Sequence, residues 1–275
     1  MELREGIYRR DFITSRICRN ALLSSALLVA SFALAQAPDV FDRPVTRLVN
    51  TFANKSWPVD FFVAETSSSF TFTGVLLMAL IWYCWFVDSN PKNRARLLVG
   101  TLASFGAGVV SRLLQHSLST HPRPYYDPAL GFHRPLSLEP QSNTWDSFPS
   151  DHVAVYAGLA ILLYIARPTF IVYATILWTI IVESFRTYIG AHYPSDLIAG
   201  AALAGLVVWT AQSSRAISVG EKLIRYERSS PGLFYFIAFF MSYQIATLFV
   251  DVRNAAGPVR DRILQHDAAA VSKAP

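Results

Sequence analysis

The sequence predicts an all-α polytopic membrane protein, built as a bundle of transmembrane helices. Only 16% of the 275 residues are charged and 52% are hydrophobic, whereas soluble domains carry about 25% charged residues. The apolar residues are concentrated in runs that approach the ~20 residues needed to cross the hydrocarbon core of a bilayer. Both observations favour a membrane protein over a soluble enzyme.

Seven apolar runs define the predicted spans, six of them forming a core bundle and the seventh following it. Two runs, 21–37 and 152–166, are short for a span. Together the seven runs use about half of the chain and leave no room for a separate soluble domain. The full set is 21–37, 68–87, 97–118, 152–166, 169–189, 197–212 and 232–250.

The spans divide the chain into a basic cytoplasmic tail, a six-span domain, a cytoplasmic loop, an additional span and a polar tail. Apolar residues at near-helical spacing in 41–56 also predict a short amphipathic helix at the membrane interface, although an ordinary loop fits that segment nearly as well. The divisions are 1–20, 21–212, 213–230, 231–250 and 251–275, with the candidate site motifs in 112–196.

The N-terminal region resembles a cleaved signal peptide, because arginines precede an apolar run that ends in small residues. The long charged region and Pro38, directly after the would-be cleavage site, favour an uncleaved first span instead. Lysine and arginine are enriched in the N-terminal tail and in 88–96, which places both inside and the 119–150 connection outside.

The formal net charge of +5 does not indicate a nucleic-acid partner, because the basic residues flank the spans and are explained by topology. The two cysteines, Cys18 and Cys84, lie far apart in the sequence without metal-ligand spacing. They therefore predict neither a disulfide framework nor a zinc site.

Five of the six histidines fall between positions 116 and 192, in or near three stretches rich in His, Arg and Asp. The stretches are 116–124 at the end of the third span, 148–152 at the start of the fourth, and 186–196 between the fifth and sixth. Because these positions must all lie on one side of the membrane, we expect the three stretches to converge there.

The residue types in these stretches suit phosphoryl transfer. Two histidines can supply a nucleophile and a general acid, and an aspartate four residues after a histidine can orient its imidazole. The planar guanidinium groups of Arg123 and Arg186 can each donate two hydrogen bonds to phosphate oxygens. Ser150 precedes a helical run and suits an N-cap, where free N–H groups attract anions. Glu183 is expected to pair with Arg186 at i,i+3, and His121 and His133 are interpreted as loop residues.

The three stretches resemble the motifs of the type-2 phosphatidic acid phosphatase superfamily, which shares its site with vanadium haloperoxidases. The matching residues are Arg123-Pro124, Pro149-Ser150-x-His152, and Arg186-x5-His192-x3-Asp196. Three positions depart from the family pattern: His116 replaces Lys, Asp151 replaces Gly, and Phe185 replaces Ser. The cation that the Lys would supply is therefore either a protonated His116 or Arg112, one helical turn earlier.

The resemblance implies a lipid phosphatase that needs no metal and no cofactor. His192 would attack phosphorus to form a phosphohistidine, and His152 would protonate the leaving oxygen and then activate water. Asp196 would orient His192, while Arg123, Arg186, Ser150 and His116 or Arg112 would bind the phosphate.

The substrate expected from the resemblance is undecaprenyl pyrophosphate, phosphatidate, phosphatidylglycerol phosphate or a lipid A phosphate. The expected location is a bacterial inner membrane with the site facing outward. A lipid phosphotransferase, a transporter and a non-catalytic member remain alternatives. Nothing in the sequence indicates the oligomeric state.

Overall fold

The computed structural model describes residues 2–118, 120–137 and 146–255, with side chains from residue 15 onward. These residues form ten α-helices and three short 3-10 turns, and no strand is present in this part of the chain. The all-α class predicted from the sequence is therefore confirmed. In chain order the helices are α1 Glu2–Gln36, α2 Asp42–Asn50, α3 Trp57–Ser68, α4 Gly74–Val87, α5 Pro91–Ser117, α6 Asp151–Ala166, α7 Phe170–Tyr188, α8 Pro194–Ala211, α9 Ser214–Ser229 and α10 Pro231–Ala246.

Five helical segments within the described residues are long and apolar enough to cross a membrane, as expected of an integral membrane protein. The two remaining predicted spans correspond to α6 and α10, which have 16 residues each and so extend only about 24 Å at 1.5 Å per residue. The long apolar segments are Ser15–Gln36, Phe70–Val87, α5, α7 and α8.

Helix α6 lies at the centre of the bundle, where it packs against α4, α5, α7 and α8. Small residues allow the close approaches that this arrangement requires. A Cβ atom on Gly158 would lie 2.8 Å from Cβ of Ser104 on α5. A Cβ on Gly200 of α8 would lie 2.5 Å from the Ser150 carbonyl oxygen. Both glycines therefore bring neighbouring helices within backbone contact distance.

Residue type explains where several helices begin. Proline occupies the first position of α5, α8 and α10, where its missing N–H removes no intrahelical bond. Side-chain oxygens of Asn90, Ser150 and Thr169 accept N–H bonds at the starts of α5, α6 and α7. These caps satisfy backbone donors that a helix leaves unpaired.

The connections contain more helix than the sequence indicated. The amphipathic helix predicted in 41–56 is present as α2, but α3 was not predicted. The segment 213–230, expected to be a loop, forms α9, which packs against α5 through Ile217, Gly220 and Ile224. The N-terminal tail is also helical from Glu2. Much of the polar tail, 256–275, lies outside the described residues.

Candidate active site

The three predicted stretches meet at one end of the bundle. The carbonyl oxygen of Pro149, just before α6, accepts hydrogen bonds from Ser111 Oγ at 2.9 Å and Gln115 Nε2 at 2.6 Å, both on α5. The backbone N–H of Ser150 donates to the carbonyl oxygen of Asp196 on α8 at 3.0 Å. These bonds fix the ends of three helices relative to one another, on the same side of the bundle as the sequence required.

His192 lies in the short connection between α7 and α8 and is almost completely buried. Its Nδ1 is 3.0 Å from the Ser147 carbonyl oxygen and 3.4 Å from Oδ2 of Asp196. Since both neighbours of Nδ1 are acceptors, we assign the proton of the neutral imidazole to Nδ1 and the lone pair to Nε2. Nε2 is 3.4 Å from Nη1 of Arg123, which can donate to it.

The pKa of His192 is lowered to about 4, chiefly by burial and also by the charges of Arg123 and Arg186, against the opposing hydrogen bond to Asp196. The imidazole is therefore neutral at physiological pH. A neutral imidazole with a free Nε2 has the electronic state that a nitrogen nucleophile requires.

Asp196 is fully buried in the first turn of α8. Its Oδ2 accepts the backbone N–H of Tyr193 at 2.8 Å and faces Nδ1 of His192. The N-terminus of a helix stabilises a carboxylate in this position. The structure thus brings Asp196 and His192 together at the spacing that the sequence indicated.

His152 lies at the start of α6, and its side chain is partly exposed. Its Nδ1 is 3.0 Å from Oδ1 of Asp151, the residue that replaces the family's glycine. The imidazole stacks against Phe70 with ring centroids 6.5 Å apart and meets Tyr156 edge-on. A carboxylate on Nδ1 leaves Nε2 of His152 as the atom available for proton exchange with a ligand.

Ser150 is the N-cap of α6 and is fully buried. Its Oγ accepts the N–H of Val153 at 3.5 Å, so its side chain is used for capping. The N–H of His152 donates to Oδ1 of Asp151 at 2.9 Å, so the donors of His152 and Val153 in the first turn of α6 are both already bonded.

Arg123 and Arg186 are both buried. Arg123 donates from Nη1 to the Ala191 carbonyl oxygen at 2.8 Å. Burial lowers its pKa, yet a guanidinium stays charged in proteins. Arg186 donates from Nε to Oε2 of Glu183 at 2.7 Å and from Nη2 to the Ser67 carbonyl oxygen at 3.4 Å. The expected pair between Glu183 and Arg186 is thus present.

The two candidates for the missing lysine differ in position. Arg112 donates from Nη1 to Oε1 of Gln115 at 2.8 Å, and the same Nη1 is 3.8 Å from Oδ2 of Asp151. His116 is exposed near the end of α5. The geometry therefore favours Arg112 over His116 as the cation beside the site.

Sequence reasoning missed two residues next to Asp196. His121, interpreted as a loop residue, is buried with Nε2 3.5 Å from Oδ1 of Asp196. Asp42 on α2 is fully buried and accepts the N–H and Oγ–H of Ser195. The position of His121 two residues before Arg123 was an available signal. No sequence signal links Asp42 to Ser195, 153 positions away. His133 is exposed on its loop, as expected.

Residues 94–217 match the PAP2 superfamily, and this segment contains α5 from Arg94 onward, all of α6, α7 and α8, and all eight predicted site residues. This segment, a little under half of the chain, is similar to that superfamily. Two curated relatives extend the comparison. The lipid A 4'-phosphatase of Bacteroides thetaiotaomicron is 41% identical over 63 residues, which are 22% of this chain and 28% of that protein.

The bacitracin transport permease protein BcrC of Bacillus licheniformis is 26% identical over 167 residues, which are 56% of this chain and 71% of that protein. Among solved structures, a transmembrane PAP2-type phosphatidylglycerolphosphate phosphatase from Bacillus subtilis aligns with a TM-score of 0.45 at 19% identity. That alignment covers 69% of this chain and 93% of the solved one.

Proposed function

We propose that this chain is a membrane phosphatase that hydrolyses a phosphate or diphosphate ester of a lipid through a phosphohistidine on His192. The observation that carries the proposal is the state of His192. Its Nδ1 faces two acceptors and its Nε2 faces the Arg123 guanidinium, so the Nε2 lone pair points towards the cation beside which an anionic phosphate would bind.

The proposed reaction has two steps. Nε2 of His192 attacks phosphorus as the bond to the leaving oxygen breaks, and His152 gives that oxygen its proton. His152 then removes a proton from water, which attacks phosphorus, so that the P–N bond breaks and phosphate leaves. Arg123 and Arg186 stabilise the equatorial oxygens in both transition states, and Asp196 stabilises the imidazolium character of His192.

A large apolar groove beside the site supports a lipid as the substrate. It has a volume of 1120 Å³ and lies between α6, α7 and α8, with α2 and α3 at one end. Pockets for drug-sized molecules span about 300–1,000 Å³, so the groove has room for long hydrocarbon chains. Its lining includes Val153, which follows His152 in the sequence, and Glu183, which accepts a hydrogen bond from Arg186.

The name of one relative, a lipid A 4'-phosphatase, agrees with this proposal at the level of a lipid phosphatase. The other relative is named a bacitracin transport permease protein, a name that fits the transporter alternative instead. The proposed location is the inner membrane, with the site facing outward, because of the distribution of Lys and Arg.

Phosphate release from a lipid panel tests the proposal. Purified protein is given phosphatidate, phosphatidylglycerol phosphate, lipid A and undecaprenyl pyrophosphate in detergent micelles. Wild type should release phosphate from at least one of them, and an acid-labile phosphoprotein should be trapped from a ³²P-labelled substrate. No release from any lipid, or full turnover by His192→Ala, would contradict the proposal.

A further inference from the structure

A closed ring of polar contacts lies behind His192, on the side away from the phosphate site. His121 contributes both imidazole nitrogens to it: Nδ1 is 3.3 Å from Oγ of Ser147, and Nε2 is 3.5 Å from Oδ1 of Asp196. The carbonyl oxygen of Ser147 and Oδ2 of Asp196 both face Nδ1 of His192. His121 therefore contacts both residues that hold the His192 imidazole.

Nε2 of His121 has one nearest acceptor, Oδ1 of Asp196, at 3.5 Å. Oδ1 of Asp196 and Nε2 of His121 are buried, and neither makes another hydrogen bond with any residue that the structure describes. A shift of a few tenths of an ångström would bring them to hydrogen-bond distance. A buried carboxylate oxygen without a donor is costly, so the pairing of these two atoms satisfies both.

A second buried carboxylate faces the same nitrogen. Oδ2 of Asp42 is 3.9 Å from Nε2 of His121. Asp42 is fixed by Ser195, whose N–H and Oγ donate to its two oxygens at 2.9 Å and 2.6 Å. An imidazole donor between Asp42 and Asp196 offsets the repulsion between two desolvated carboxylates. Tyr193 packs edge-on against the imidazole with ring centroids 4.6 Å apart and holds it there.

We infer that His121 is a positioning residue, which holds Asp196 and Ser147 so that His192 keeps its proton on Nδ1 and its nucleophilic lone pair on Nε2. This inference rests on the proposed function of His192. With His121 in place, Oδ2 of Asp196 accepts the N–H of Tyr193 and Oδ1 faces Nε2 of His121 at 3.5 Å, so both oxygens have a polar neighbour that restrains rotation of the carboxylate. Without it, the carboxylate is free to turn, and His192 gains access to the opposite tautomer, whose protonated Nε2 cannot attack phosphorus.

The kinetic test compares three variants. His121→Phe keeps the ring and its packing against Tyr193 but removes both nitrogens. His121→Gln restores an amide donor at the position of Nε2. His133→Phe is the matched control, because His133 is exposed on the neighbouring loop.

We expect His121→Phe to lower kcat by ~10²-fold, the size of effect that misplacement of a reacting group produces. KM should stay within about twofold, because a residue remote from the phosphate does not contribute to ground-state binding. His121→Gln should recover most of the lost kcat, and His133→Phe should match wild type. Equal kcat for His121→Phe and wild type, or a loss that His121→Gln does not recover, would overturn the inference.

A second measurement does not depend on turnover. Histidine-selective ¹⁵N labelling reports the tautomer of each imidazole, and the His192 signals are assigned by their loss in His192→Ala. Wild type should show His192 protonated on Nδ1, whereas His121→Phe should show a mixture of tautomers. An unchanged His192 spectrum in His121→Phe would overturn the inference even if kcat fell. Absence of turnover in wild type would contradict the proposed function alone, and the spectra would still decide the role of His121.

Discussion

Arg112 places Nη1 3.8 Å from Oδ2 of Asp151, the carboxylate whose other oxygen contacts Nδ1 of His152. One acidic residue therefore connects a cation on α5 with the proposed general acid on α6. Glycine at position 151 could make neither contact, so we propose that this local arrangement compensates for both departures from the resembled motifs, at 116 and 151.

Arg112→Ala should therefore raise KM for the lipid substrate by ~10-fold or more, because a charge-assisted contact contributes about 1.5–3 kcal/mol. His116→Ala should leave KM near the wild-type value, since the imidazole is exposed at the helix end. Initial rates over a range of substrate concentration measure both. A raised KM in His116→Ala with an unchanged KM in Arg112→Ala would mean that His116, and not Arg112, binds the phosphate.

The state of His192 predicts a dependence of stability on pH. Its pKa of about 4 in the folded protein lies below the ~6.5 of a free imidazole. Between these values the unfolded chain binds more protons, so stability falls as the pH is lowered from ~6.5 towards ~4. As the pH is lowered through this window, the Tm of His192→Gln should fall less than that of wild type. The Tm of His133→Gln should fall by the same amount as that of wild type. Thermal unfolding in detergent at several pH values measures the difference.

If the groove between α6, α7 and α8 binds the lipid chains, obstructing it should slow turnover of lipid substrates but not of water-soluble ones. Ala201 lines the groove, and Ala201→Trp should obstruct it. Turnover of a long-chain lipid phosphate should fall by ~10-fold or more, because remote binding energy is lost, while a short water-soluble phosphate ester should be hydrolysed as before. Val110, exposed on α5, provides the control Val110→Trp. An equal loss on both substrates would mean that Ala201→Trp disturbs the fold.

The proposed mechanism predicts independence from metal ions. Among the described residues, no group of three or more His, Cys, Asp or Glu side chains is arranged to hold a metal, and arginines supply the positive charge beside His192. Activity should survive EDTA, and vanadate should inhibit as a mimic of the pentacoordinate transition state. Phosphate release with and without each reagent is the measurement. A strict requirement for Mg²⁺ would contradict the mechanism.

The orientation inferred from Lys and Arg predicts the accessibility of the loop before α6. A cysteine introduced at exposed His133, in a chain whose Cys18 and Cys84 are replaced by serine, should react with an impermeant thiol reagent in intact cells. A cysteine at Ser89, between α4 and α5, should react only after lysis. The opposite pattern would put the site on the cytoplasmic side.

The sequence predicted those parts of the molecule that depend on local patterns and on topology. Span periodicity predicted that 116–124, 148–152 and 186–196 lie on one side of the membrane. The bonds from Ser150 to Asp196 and from Arg123 to Ala191 show that these stretches also touch. Helix α9 was predictable in principle, because Ile217 and Ile224 recur two turns apart with Gly220 between them.

The contacts of His121 and Asp42 were not predictable in the same way. They depend on how α2 docks against the N-terminus of α8, and this docking joins residues 153 positions apart. Asp42 has no neighbour in the sequence that marks it as part of a site, whereas His121 lies two residues before Arg123. A short amphipathic helix also has a simpler explanation at a membrane interface.

Helix α2 is fastened to the loop that carries Arg123 by several side chains. Arg43 donates from Nε to Oδ2 of Asp127 at 2.8 Å, and Asn50 donates from Nδ2 to the carbonyl oxygen of His133 and accepts the His133 N–H at Oδ1. All of these anchors, like Asp42, precede the segment 94–217 that defines the superfamily. A fragment trimmed to that segment would contain every proposed reacting group and lack the contacts that hold them, so we expect any active fragment of this chain to extend upstream of residue 94.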